Sequence, residues 1–255
     1  MKKNIFITGA AAGIGKATAL LFINKGWFVG ITDADEAGLE ELKKSVNGKI
    51  GYCAPLDVTN AEKVAAALSD FSRVAGGKID LLFNSAGILR VKPFEDIPLK
   101  DHHKILDINA GGILNCTYHA FPYLKNAKGS QVINMASVAS IIPTPTEATY
   151  AASKFWVRGF TEALNIEWER YGIHVCDIMP NFVNTPMVEQ NPGKFVDSVG
   201  VYITAQKVAQ IVWKAAKSKR VHWIIDRPQN RLFYRLRAII PFSIERFVMK
   251  KMAGF

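Results

Sequence analysis

Apolar and polar positions change period repeatedly along the chain. Short runs rich in β-branched and apolar residues fall at Asn4 to Thr8, Trp27 to Thr32, Ile50 to Ala54, Ile79 to Phe83, Gln131 to Met135, Ile173 to Ile178 and His222 to Ile225. Longer stretches of helical period separate them, near residues 14–25, 37–46, 61–75, 99–124, 150–171 and 205–217. Strands that are apolar on both faces and alternate with helices predict a parallel sheet covered on both sides. The expected fold class is therefore α/β: one domain with a doubly wound sheet of about seven strands.

In such sheets ligands bind beyond the carboxyl ends of the strands. The residues expected there are Gly9 to Gly15, Asp33, Asp57, Asn84 to Gly87, Ser137 and Pro180 to Thr185. Residues 186–202, with Pro192, Gly193, Gly200 and weak periodicity, read as a long loop, a short helical lid over that edge, or an ordinary surface connection.

Composition narrows the class further. With 255 residues, 49% of them hydrophobic, and three cysteines, the chain is neither disordered nor stapled by disulfides. Cys53, Cys116 and Cys176 form no C-x-x-C pair, which favours a reduced, cytoplasmic setting. The apolar stretch after Lys3 breaks at Gly9, so a cleaved leader is not expected, and no uncharged run is long enough to span a bilayer. The net charge of +10 is local: residues 1–206 balance, whereas residues 207–255 hold twelve Lys and Arg against Asp226 and Glu245.

Gly9, Gly13, Ile14 and Gly15 follow the first strand and open a helix, where glycines allow a tight turn and let amides approach a pyrophosphate. The spacing G-x-x-x-G-x-G differs from G-x-G-x-x-G. Asp33 ends the second strand and suits the adenosine ribose hydroxyls of NAD while repelling the 2′-phosphate of NADP. Alternatively it caps the next helix, and Asp35 could take either role. Tyr150 and Lys154 stand four residues apart on one helical face, and a nearby cation lowers a phenol pKa, making Tyr150 a usable general acid or base.

Taken with Asn84-Ser85-Ala86-Gly87, Asn109 and Ser137, which precedes Tyr150 by 13 residues, these elements resemble a classical short-chain dehydrogenase/reductase over residues 1 to about 190. The resemblance implies a Rossmann-type domain over residues 1–230, including a substrate lid at 186–202. It also implies hydride transfer between NAD and a secondary alcohol or ketone. Tyr150 would exchange the proton, Ser137 would stabilise charge on the substrate oxygen, Lys154 would hold the nicotinamide ribose and depress the tyrosine, and Asn109 would hold a water leading to Lys154. Asp57 and Val58 would flank adenine, Ile14 the pyrophosphate, Asn84, Ala86 and Gly87 the cofactor cleft, and Val183 and Thr185 the carboxamide. Homodimers or homotetramers through the helices of Asn109 and Tyr150 are implied as well.

Three residues depart from the family pattern: Ser85 in the N-N-A-G element, Asn181 after Pro180, and Ala136 before Ser137. Alternatives to an NAD enzyme are an NADPH-preferring carbonyl reductase and a non-catalytic nucleotide sensor or scaffold of the same fold. The five histidines lack zinc-site spacing, so no metal is expected. Ser140 and Ser153 sit in no nucleophile elbow, and Phe155 and Trp156 read as packing or subunit-contact residues.

Residues 231–255 form a basic, amphipathic extension broken at Pro241. It fits a membrane-surface anchor, a helix closing the pocket or an oligomer interface, or a solvated tail. Large apolar residues between the charges argue against nucleic acid as partner and suit a lipophilic substrate.

Overall fold

The computed structural model describes residues 2–254, apart from the side chain of Ala238. In chain order the elements are β1 (Asn4–Thr8), α1 (Gly13–Asn24), β2 (Phe28–Asp33), α2 (Glu36–Ser45), β3 (Tyr52–Pro55), α3 (Ala61–Val74), β4 (Leu81–Asn84), α4 (Leu99–Leu106), α5 (Gly112–Lys125) and β5 (Gln131–Met135). They continue as α6 (Ala148–Glu167), β6 (His174–Pro180), β7 (Val183–Asn184), α7 (Pro186–Glu189), α8 (Lys194–Val199), β8 (Ile203–Thr204), α9 (Ala205–Ala215), β9 (His222–Ile225), α10 (Pro228–Leu236) and α11 (Phe242–Ala253). The main sheet has the order β3-β2-β1-β4-β5-β6-β9, parallel at every pairing.

Side-chain alternation explains why both faces are covered. Ile5 and Ile7 of β1, Leu81 and Phe83 of β4 and Ile133 of β5 join one cluster, with Ala19 and Phe22 of α1 and Val208 and Val212 of α9. Phe6, Leu82 and Val132, one register step away, join the opposite cluster with Leu68 and Phe71 of α3 and Cys116 and Ala120 of α5. Each fully buried side chain of this size contributes about 1.5–3 kcal/mol, so both faces need their helices. A third cluster lies beyond the sheet's carboxyl edge and joins Ile141 and Ile142 to Phe195 of α8, Tyr234 of α10 and Met249 of α11.

The seven expected strands are present, three with the expected bounds and four with ends moved by one or two residues. Two expectations needed refinement. Residues 99–124 are interrupted by a π-helical turn at Asp107–Gly111. Residues 186–202 hold the short helices α7 and α8 and, with β7 and β8, a small two-stranded ladder.

Candidate active site

One large cavity of about 670 Å³ runs along the carboxyl edge, from Gly9 and Asp33 at one end past Tyr150 to α8, α10 and α11 at the other. The glycine turn forms its floor. Gly9 has φ +68°, and a Cβ there would stand 2.7 Å from the Ala86 backbone; a Cβ on Gly15 would overlap the Gly9 carbonyl. These glycines let β1, the β4 loop and α1 meet closely. The α1 N-terminus has no capping side chain at Ala12 and no acid in its first turn, leaving its amides open to an anion. The cavity wall includes Gly13, Ile14, Asp57, Val58, Ala86, Gly87, Val183 and Thr185.

Asp33 lines the cavity and accepts from the Ala11 amide at 2.9 Å and the Asp35 amide at 3.0 Å. Capping of α2 falls instead to Asp35, which accepts from the Gly38 amide at 3.1 Å. Asp57 accepts from the Thr59 amide and hydroxyl in a local turn. A glycine cradle, an uncapped helix N-terminus and a carboxylate at the end of β2 together fit a dinucleotide.

Ser137, Tyr150 and Lys154 converge halfway along the cavity. Ser137 follows β5, donates to the Pro180 carbonyl at 3.4 Å and accepts from the Ala139 amide at 3.2 Å. Tyr150 lies in the first turn of α6, and Lys154, one turn later, donates to the Met135 carbonyl at 2.7 Å with its nitrogen 5.5 Å from the tyrosine ring centre. Burial pushes the ammonium down to about 8. Burial raises Tyr150 above its ordinary value, Glu147 raises it further by charge repulsion, and only the Ser137 hydrogen bond works downward. Tyr150 in this state carries its proton.

Asn109 sits in the π-helical turn, fully buried. Its amide receives the Ile88 N–H at 2.8 Å and donates to the Ile88 carbonyl and the Ser153 hydroxyl at 3.0 and 3.2 Å. It lies behind the cavity, its oxygen and the Lys154 nitrogen both near Gly87. Asn84, expected in the cleft wall, is corrected to a position beneath it, donating to Thr117 at 3.1 Å and Asn134 at 2.9 Å. Its side chain braces β4 against β5 and leaves the wall to Ser85, Ala86 and Gly87.

Sequence reasoning missed three features. Glu147 and Thr144 line the cavity as buried polar groups; a glutamate at a helix start reads as a cap, which hides it. Pocket closure by the extension was among the alternatives read from the sequence; what was missed is which side chains lie at the cavity's far end, namely Phe233, Tyr234, Met249 and Met252. The third is a polar hub at Asp226, which accepts from Tyr202, Tyr234, Asn181 at 2.8 Å and Asn230 at 3.0 Å. Burial pushes this carboxyl up, but hydrogen bonds from Tyr202, Tyr234, Asn181 and the Arg227 amide outweigh it and leave it below its ordinary value. The departure at Asn181 thus ties the end of β6 to α10.

The family model described as short chain dehydrogenase matches residues 3–194. The chain belongs to the short-chain dehydrogenase family. A 3-oxoacyl-(acyl-carrier-protein) reductase of Thermotoga maritima is 33% identical over 218 residues, 82% of this chain and 88% of that protein. D-threitol dehydrogenase of Mycolicibacterium smegmatis is 35% identical over 187 residues, 72% of each. A solved 3-ketoacyl-(acyl-carrier-protein) reductase from Brucella melitensis, complexed with NADH, superposes with a TM-score of 0.80 at 28% identity, covering 88% of this chain and 96% of that one. Enzymes of this family act on CH–OH and C=O groups with NAD or NADP, and the chain is such an oxidoreductase. The family model's match ends at Lys194, before α10 and α11.

Proposed function

We propose that this short-chain dehydrogenase uses NAD to interconvert a lipophilic secondary alcohol and its ketone, with Ser137, Tyr150, Lys154 and Asn109 as its working residues. The observation that carries this reading is the meeting of Ser137, Tyr150 and Lys154 in a cavity continuous with the glycine turn. Nicotinamide supplies or accepts the hydride. Tyr150 gives its proton to the substrate oxygen in reduction and takes it back in oxidation. Ser137 hydrogen-bonds the same oxygen and stabilises charge that develops there. Lys154 holds the nicotinamide ribose and supplies the positive charge that the phenolate needs. Asn109 fixes the π-helical turn and the Ile88 backbone beside Lys154.

Asp33 supports NAD over NADP, because it lines the cavity at the end of β2 and no Lys or Arg stands between Gly9 and Gly15 or beside it in the sequence. A screen of ketones and alcohols with both cofactors, followed by NADH absorbance, tests the reading; no turnover of any carbonyl compound would favour the sensor or scaffold alternative.

Residues 1–230 form the catalytic unit in this reading, and 231–255 complete its pocket. The outer side of α10, α11 and the turn between them exposes Leu232, Leu236, Ile239, Phe242, Ile244 and Phe247 beside Arg231, Arg235, Arg246 and Lys250. This combination suits an anionic membrane surface. Full-length protein is expected to float with anionic liposomes and a chain truncated at Arg231 to stay behind; equal recovery of both in the unbound fraction overturns the assignment. No helix among the described residues is long and apolar enough to cross a membrane, and the contact in this reading is with the surface alone, by a cytoplasmic enzyme. Exposed Leu106, Leu114, Tyr118, Phe155, Trp156 and Ile166 on α4 to α6 support a homodimer or homotetramer through those helices.

A further inference from the structure

The substrate end of the cavity is walled mostly by hydrocarbon, including Leu89, Ile142, Met187, Phe195, Phe233 and Met252, with Ser198 of α8 and Arg227, Gln229 and Asn230 at the start of α10 adding polar groups. Two polar side chains interrupt that wall without partners. Glu147 is 2% exposed and Thr144 is 4% exposed, and neither Glu147 Oε1 nor Thr144 Oγ1 has a hydrogen-bond partner. Buried polar atoms are normally satisfied by the protein. Two unsatisfied ones on a single cavity wall call for a partner that arrives with the ligand.

Local geometry points the same way. Glu147 stands at the N-cap of α6, where a carboxylate ordinarily accepts from first-turn amides, yet its side chain makes no capping bond. The residue before it, Thr146, holds φ at 68°, a conformation that is strained for a β-branched residue. The Thr146 carbonyl accepts from the Lys92 amide at 3.0 Å, which ties this turn to the loop after β4. The turn that carries Glu147 is thus held in place, and both Glu147 and Thr144 belong to the cavity lining. Burial pushes that carboxyl up to about 8, so near neutrality it is an uncharged acid that both donates and accepts, as the Thr144 hydroxyl does. Tyr150 lies three residues further along, on the same side of the helix.

We infer that Glu147 and Thr144 form a subsite for a second oxygen function beside the reacting carbon, so that the substrate is a lipophilic vicinal diol or the matching hydroxyketone. This deepens the oxidoreductase reading and rests on it. Hydrocarbon surroundings bind the rest of the molecule, and the neutral acid with its neighbouring hydroxyl takes the extra hydroxyl.

Binding to wild-type protein loaded with NADH tests the subsite without requiring turnover, because an alcohol and NADH are both reduced and cannot react. The ligands are hydrobenzoin, the mono-alcohol lacking one of its hydroxyls, and the amino alcohol with an amine in that place, titrated by calorimetry. The diol is expected to bind roughly tenfold or more tighter than the mono-alcohol, since a site built to hydrogen-bond a hydroxyl rejects the analogue without it. Glu147→Leu should equalise the two, Thr144→Val should narrow the gap, and Glu147→Gln should keep most of it. Equal affinities in wild type, binding of neither ligand, or a preference surviving in Glu147→Leu overturns the subsite. Tighter binding of the amino alcohol also overturns it, because that would mark a carboxylate that recognises a cation. Failure of the oxidoreductase reading shows separately, as absence of NADH oxidation with every ketone.

Discussion

Replacing Glu147 by glutamine should change how stability depends on pH. The carboxyl is 2% exposed, and burial raises it from an ordinary 4.5 to about 8. Between those values the folded chain keeps a proton that the unfolded chain releases. The neutral group's contribution is therefore complete below pH 4.5 and is lost as pH rises through 8. At about 1.4 kcal/mol per pH unit the interval corresponds to at most ~5 kcal/mol, and water entering the open cavity reduces this to about 2–3 kcal/mol. For a domain of this size that is roughly 5–10 °C in Tm. Glutamine carries no titrating proton, and groups common to both proteins cancel in the difference. Lys154, which burial holds down to about 8, has the opposite sign: its unfavourable share is complete below pH 8 and is relieved only above it. Thermal melts of the cofactor-free proteins from pH 5 to 8 should show wild type losing stability relative to Glu147→Gln by that amount. A difference that stays constant across the range would mean that the carboxyl is hydrated and ionised, and the argument from burial would fail.

Asp226→Ala should leave Tyr202, Tyr234 and Asn181 without their shared acceptor. Bonds to a charged acceptor are worth about 1.5–3 kcal/mol when shielded, and this carboxyl is only half-buried. Steady-state kinetics should therefore show substrate KM raised several-fold with the NADH Kd nearly unchanged, and an equal rise in both would refute the role of the hub in holding α10. Asp33→Asn removes one charge from the ribose end of the cleft. With about 1 kcal/mol per charge pair in a watery site and about 1.5–2 negative charges on the 2′-phosphate, the ratio of kcat/KM for NADP over NAD should rise roughly tenfold to thirtyfold, and an unchanged ratio would refute the assignment of Asp33. Gly9→Ala places a Cβ 2.7 Å from the Ala86 backbone at a positive φ, so NADH titration should show binding largely lost; full affinity would refute the close approach.

The sheet was legible because its strands are buried on both faces: Ile5, Phe6 and Ile7 read as continuous apolar runs whichever side each serves. Ser137, Tyr150 and Lys154 were legible because their spacing is local to β5 and α6. What was hidden depends on contacts between distant segments. Asn84 looks like a cleft residue in the sequence, but the pull of Thr117 and Asn134 turns it below the wall. Asn109 sits in an apparently continuous helical pattern, and only its bonds to Ile88 mark the π-helical turn. Glu147 imitates a cap, and its role as an unpartnered group appears only once the cavity is formed. The basic excess at the carboxyl end was readable as an amphipathic segment; its division into an inner face on the cavity and an outer face with Arg231 and Phe247 required the fold.

The most direct test of the account is Tyr150→Phe measured in two ways on one preparation, for ketone-dependent NADH oxidation and for NADH binding. The account predicts that kcat falls by roughly 10²–10⁴-fold, the usual share of a positioned acid or base, while the NADH Kd stays within about twofold. Turnover close to wild type with any ketone would contradict the claim that this phenol carries the proton.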